Sequence, residues 1–210
     1  IEEHHGHDRY LPCPIDALNA LSTHTFLKLG TAIVILPLYH PVRLAEQVAQ
    51  LDSISHGRVI LGVGVGYRAK DFNYYNVNIK ERGKLAEEEL QIIDKLLSEE
   101  NVDFIGKYYK LNGVTIMPRP YQKPRPPIWV AAWKGEAIRR AAKYGDKWFP
   151  GQTGTLKEVL EAKEIYIEEL KKLGKQVPRL PIIRDAYIAE NEETALKEAK
   201  DSIIYMYGLD

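Results

Sequence analysis

The stretch "LGTAIVILPLYHPVRLAEQVAQLDSISHGRVILGVGVGYRAKDF", residues 29–72, carries two periodicities in succession. Residues 29–36 are almost continuously apolar and rich in β-branched side chains. Such a run reads as a strand buried on both faces, the mark of a parallel sheet. Pro41–Ile54 then places Val42, Ala45, Val48 and Ala49 on one stripe, the spacing of an amphipathic helix, and His56-Gly57 closes it. "RVILGVGVG" is a second buried strand, over 59–65. Strand, helix and strand in this order and length form a parallel crossover unit.

The same alternation extends outward in both directions. Residues 14–25 have helical spacing through Ile15, Leu18 and Leu21, and 81–97 form a clear amphipathic helix through Leu85, Leu90, Ile93 and Leu97. Further strands are expected at 128–132, 147–150 and 182–189, with helices at 136–144, 156–173 and 192–204. Two pieces interrupt the pattern. "VDFIGKYYKLNGV" alternates around Gly106 and reads as a β-hairpin insertion. "PRPYQKPRPP", residues 118–127, is an extended connector, expected to hug one domain because the β/α alternation resumes at once. The possible architectures are an open doubly wound sheet and a TIM barrel. "GVGVGY" supplies Gly62, Gly64 and Gly66 as GxGxG, not the GxGxxG of a dinucleotide fingerprint. Its glycines imply only that something large approaches the backbone at a strand end.

Composition excludes several function classes. Lys plus Arg is 29 and Asp plus Glu is 29, so no net charge favours nucleic acid or an anionic membrane. No apolar run approaches the ~20 residues of a membrane span. The single cysteine, Cys13, excludes an internal disulfide and fits a reducing, cytoplasmic compartment. The start, "IEEHHGHDRY", leaves three readings open: a metal site, an acid/base pair, or a solvated tail.

With these residues assembled, residues 29–72, the initial "EEHH", the "ERGKLAEEEL" helix and "PRPPIWVAAW...EAIRRAAKYGD" together resemble the bacterial-luciferase-like oxidoreductase family. The resemblance runs over about residues 2–200. It implies a (β/α)8 TIM barrel in a single domain over 1–210, apparently incomplete at both ends, with the hairpin outside the barrel. The first strand and helix would precede Ile1, and the last βα unit would follow Asp210. It further implies flavin mononucleotide (FMN) or the deazaflavin coenzyme F420 at the C-terminal ends of the strands, a small-molecule substrate, and a homodimer. The hairpin-to-connector segment looks most like F420-using members.

Site residues follow from the resemblance, position by position. Glu3-His4 falls on the family's acid-His motif: His4 would do acid/base work or stabilise a reduced ring, and Glu3 would orient it. Ala32–Ile33 would be a non-proline cis bond under the ring. Gly64, Val65, Gly66 and Arg68 would approach the cofactor; some flavin-using relatives carry arginine where Val65 stands. Trp133, Lys134 and Gly135 precede the helix over 136–144, whose free N–H groups and positive dipole end suit the phosphate. Trp148 and Phe149 would line the substrate cavity. Arg184, inside an apolar strand, would point into the barrel. His7 is read as a surface residue, and no metal is expected. The alternatives are a non-catalytic flavin-binding protein on a shortened barrel, and a cofactor-free barrel remnant acting in assembly.

Overall fold

A computed structural model of the chain describes residues 1–6, 11–184 and 186–207, the side chains of 206 and 207 excepted; the readings of His7 and Asp8 fall outside the described residues. In chain order the elements are α1 (Pro14–Ser22), β1 (Leu29–Gly30), β2 (Val34–Ile35), α2 (Pro41–Ile54), β3 (Val59–Gly64), α3 (Ala69–Tyr74) and α4 (Arg82–Ser98). There follow β4 (Val102–Ile105), β5 (Lys110–Val114), β6 (Ile128–Ala131), α5 (Gly135–Tyr144), β7 (Lys147–Phe149), α6 (Leu156–Lys172) and α7 (Glu192–Tyr207).

The main sheet is parallel, in the order β1–β3–β6–β7, with β2 also paired to β3. Residues 29–36 are extended as expected, but in two pieces. The Ala32–Ile33 peptide between them is cis, as the resemblance implied. Register then sorts side chains by face. Leu61 lies opposite Ile128, and Val130 stands between Val63 and Trp148. These apolar side chains meet the buried stripes of α2 (Leu44, Val48) and α4 (Ile93, Leu97) in the core. Each such side chain contributes about 1.5–3 kcal/mol when fully buried. The opposite face carries Gly62 opposite Trp129, Trp129 opposite Lys147, and Ala131 opposite Phe149. This α/β arrangement is that of a partial (β/α)8 barrel.

The hairpin forms its own two-stranded antiparallel sheet of β4 and β5, off the main sheet. Helix α4 holds its turn: Glu88 accepts from the backbone N–H groups of Lys107, Tyr108 and Tyr109, and the Tyr109 hydroxyl donates to Glu89 at 2.8 Å. The proline-rich connector is pinned along its length. Arg119 donates to the Leu96 and Leu97 carbonyls, Gln122 to Asp52, and Arg125 to both Asp94 and Asp146.

One expected strand is absent among the described residues. Residues 182–184 and 186–189 are extended but join no ladder, and Ile182, Tyr187 and Ile188 are exposed. The alternation that suggests a strand is there, but nothing pairs it to the free edge of β7. Instead Arg184 donates to the Gln152 and Gly154 carbonyls, fastening the segment to the loop before α6.

Candidate active site

The chain's first residues run beside β1. The Ile1 nitrogen donates to the Gly30 carbonyl and Ala32 N–H donates to the Ile1 carbonyl, each at 2.8 Å. Extended chain turns successive side chains to opposite sides. Glu3 and His5 therefore share a side and are buried, while His4 takes the other and is half-buried. The pairing follows: Glu3 Oε1 meets His5 Nε2 at 2.7 Å. The carboxylate thus orients His5, which corrects the expectation that it would orient His4.

Glu3 is held from three directions. Its Oε2 accepts from Ile35 N–H at 2.9 Å, at the C-terminal end of β2, and the Tyr39 hydroxyl also bonds the carboxylate. Burial raises the Glu3 pKa, and the bonds from Ile35, His5 and Tyr39 oppose that shift. Burial first, and the Glu3 charge second, push the Tyr39 phenol well above its ordinary range. On its far side His5 Nδ1 meets the Tyr75 hydroxyl at 3.0 Å, with the two rings edge to face. His4 faces the loop after β3: its ring stands edge-on to Tyr67, and its Nδ1 lies 3.5 Å from Arg68 Nη1. A guanidinium only donates, so in this contact His4 Nδ1 is the acceptor. Arg68 also reaches the buried Asp71 at 3.5 Å.

Beside this cluster the inner face of the sheet is lined by small residues. A Cβ on Gly64 would stand 2.8 Å from Ile33 Cδ1 and 3.6 Å from Ala131 Cβ. Ala32 and Ile33 are half-buried there, one strand from Gly64. Val65 packs against the core, and Gly66 turns the chain at φ +69°, where a side chain would strike Ile35. The N-terminus of α5 opens from the end of β6 on the same side, with Lys134 exposed at its cap and Glu136 in its first turn.

One aromatic assignment changes. Trp148 and Phe149 are neighbours in a strand, so they face opposite ways. Trp148 is fully buried against Tyr166 and donates Nε1–H to the Ala132 carbonyl, so it is a core residue and lines no cavity. Phe149 takes the inner face, 6.0 Å from Trp129. Trp133 lies across Gly151 and Gly154, where added Cβ atoms would come within 1.9 Å and 3.0 Å of its indole. Tyr74 and Tyr75 are exposed. Arg184 is exposed and bound to the Gln152 and Gly154 carbonyls, because its segment is not a barrel strand. No group of three or more metal-ligating side chains occurs among the described residues. Sequence reasoning gave Tyr75, Tyr39 and His5 no role in the site. For His5 the signal was present: positions 3 and 5 of an extended segment share a face.

Clefts also occur at the other end of the sheet. One, of about 400 Å³, is lined by Lys28, Arg58, Trp129 and Lys147 at the N-terminal ends of the strands. The ion pairs and glycine surface described above occupy the opposite end, where barrel enzymes carry their chemistry.

The chain matches the Luciferase-like monooxygenase family over residues 1–208. It is 29% identical over 215 residues to the oxygenase component of a flavin-dependent trigonelline monooxygenase from Acinetobacter baylyi, covering 98% of this chain and 59% of that protein. It superposes on a monooxygenase from Streptomyces bottropensis with a TM-score of 0.89 at 26% identity, over 96% of this chain and 64% of that one. A coenzyme F420-dependent tetrahydromethanopterin reductase from Methanopyrus kandleri shares the fold, with a TM-score of 0.78 at 21% identity, over 98% and 62% of the two chains. The chain spans about half the length of the curated relatives it matches, from 42% to 59% among the first of them. With a parallel sheet, a buried acid–imidazole pair at the strand ends and a match over nearly its whole length, the chain belongs to the luciferase-like monooxygenase family.

Proposed function

We propose that this chain carries the cofactor and proton-handling part of an oxidoreductase that uses FMN or F420 on a small organic substrate, as a monooxygenase where the cofactor is FMN. One observation carries the reading. The buried Glu3–His5 pair and His4 gather at the C-terminal end of the sheet, beside the surface formed by Ile33, Gly64 and Ala131. That surface fits the flat ring common to both cofactors. The free N–H groups at the start of α5, with Lys134, fit the phosphate that both carry. The flavin-dependent relative and the F420-dependent fold neighbour support the same pair of cofactors.

When bound, either group would supply hydride chemistry. The chain's own residues supply the rest. His4, whose Nδ1 faces Arg68, is the acid/base residue of the site. Gly64 and Gly66 let the backbone come close to the ring. Lys134 and α5 hold the anionic end. The test is an absorption spectrum of the purified chain after incubation with FMN or with F420 and removal of excess. Retention of one chromophore is expected, and the two differ visibly. A colourless protein after both incubations would defeat this reading and favour the cofactor-free alternative.

A further inference from the structure

Glu3, His5 and Tyr75 are joined end to end in the order carboxylate, imidazole, hydroxyl. Glu3 Oε1 to His5 Nε2 is 2.7 Å, and His5 Nδ1 to Tyr75 Oη is 3.0 Å. Both ring nitrogens of a buried imidazole are therefore engaged, and the carboxylate behind it is anchored by Ile35 N–H and by Tyr39. A carboxylate that fixes the tautomer of a histidine, which in turn contacts a hydroxyl, is the arrangement that makes a hydroxyl a proton donor and acceptor. Here only the tyrosine end is exposed. Glu3 and His5 are 2% and 5% exposed, and Tyr75 is 46% exposed.

We infer that Tyr75 is a second proton-transferring residue of the site, driven through His5 by Glu3, and that it serves an oxygen anion generated in the reaction proposed above. This rests on that reading. From the resting Nε2–H imidazole, a proton from solvent passes to Tyr75 Oη as the Tyr75 O–H proton passes to His5 Nδ1, leaving an imidazolium against Glu3. In the donating direction Tyr75 Oη–H then breaks as a new O–H bond forms on the acceptor. The phenolate then takes the Nδ1 proton of the His5 imidazolium. Tyr75 ends neutral and His5 ends neutral with Nε2–H still on Glu3, so one proton has moved and no electron pair has changed atoms other than in those bonds. The charged and titratable neighbours are Glu3 and Tyr39 on one side, Cys13 ahead of α1, and Asp71 with Arg68 on the α3 side. Burial first, then the Glu3, Cys13 and Asp71 charges, raise the Tyr75 phenol, which keeps it protonated as a donor.

The test compares the parent chain with Tyr75→Phe, which keeps the ring against His5 and removes only the hydroxyl. Histidine nitrogen NMR, without cofactor, is expected to show His5 in the parent as the Nε2–H tautomer with a hydrogen-bonded Nδ1. In Tyr75→Phe the Nδ1 signal alone should move to the position of a free ring nitrogen. In the chain loaded with reduced FMN, reoxidation by air should be at least about 10-fold slower in Tyr75→Phe and flatter with pH, below the about 100-fold typical of a lone acid/base group. The FMN dissociation constant should stay within about twofold. A resting parent His5 whose one ring proton is on Nδ1, or a variant that reoxidises at the parent's rate at every pH, overturns the relay alone. A parent that retains only F420 overturns the relay alone, and one that retains neither FMN nor F420 removes the functional reading and the relay's task with it.

Discussion

At Gly62 a single added methyl would decide whether two strands can touch. The site of its Cβ lies 2.0 Å from the Thr31 carbonyl oxygen, a backbone atom that cannot swing away. Thr31 also binds Gly62 twice through its hydroxyl, donating to the Gly62 carbonyl at 2.6 Å and accepting from its N–H at 2.9 Å. Gly62→Ala should cost about 3 kcal/mol or more by forcing β1 and β3 apart, read as a lowered urea midpoint. Gly113, where a Cβ meets nothing within 4 Å, makes the contrast: there only the left-handed φ of +60° opposes substitution. At His4 the consequence is chemical. His4→Ala should reduce turnover of the loaded chain by about 100-fold or more while cofactor binding changes little. Equal turnover at saturating cofactor would return His4 to a solvated role.

Among the elements, α4 carries a buried acid that matters to stability. Glu89 is fully buried against the hairpin, and burial pushes its pKa up to about 8, opposed by the bond from Tyr109. A carboxyl raised in the folded state binds more protons folded than unfolded. Its contribution is therefore complete below the unfolded value of 4.5 and is lost as pH rises toward about 8. Glu89→Gln keeps an acceptor for Tyr109 and removes the charge. Urea midpoints should fall from acid to alkaline pH more steeply in the parent than in the variant, and the variant should be the more stable above about pH 8. Parallel pH profiles would show that Glu89 titrates normally. Helix α5 makes a separate prediction. Lys134 is exposed at its cap, so Lys134→Ala should weaken FMN or F420 binding by about 1–2 kcal/mol, roughly tenfold. The rate at saturating cofactor should hold, and an unchanged dissociation constant would make Lys134 an ordinary surface lysine.

For the molecule as a whole, the proline-rich connector shows how distant elements are tied. Arg125 bridges Asp94 on α4 and Asp146 ahead of β7, with its own side chain largely buried and both acids half exposed. Exposed partners are screened, which tempers the loss expected from hydrogen bonds to charge. Arg125→Ala should lower unfolding stability by about 2 kcal/mol. The denaturant slope should stay constant, since the core behind the connector is unaffected. A change in slope would mean that the connector had come away and exposed the sheet.

What the sequence by itself determined is the order and kind of the elements. The helical stripe over Pro41–Ile54 and the apolar strands around it specify a parallel β/α chain, because backbone periodicity is a local property that any window of residues displays. Helix α2 accordingly starts and stops where proline and His56-Gly57 say it should. The start of the chain was legible only in kind: three histidines and their acids suggest chemistry, while the partner of each is a matter of direction in space. Positions 3 and 5 share a face only once residues 1–5 are known to be extended, and Tyr75 reaches His5 only because α3 folds back toward the chain's start. The segment at 182–189 fails for the complementary reason. Its alternation is a strand's, yet a strand exists only where another offers it a ladder, and here Arg184 binds loop carbonyls instead. Tertiary structure alone decided these pairings, because hydrogen bonds between residues 30 to 70 apart depend on which surfaces burial brings together, and no short window of sequence records that.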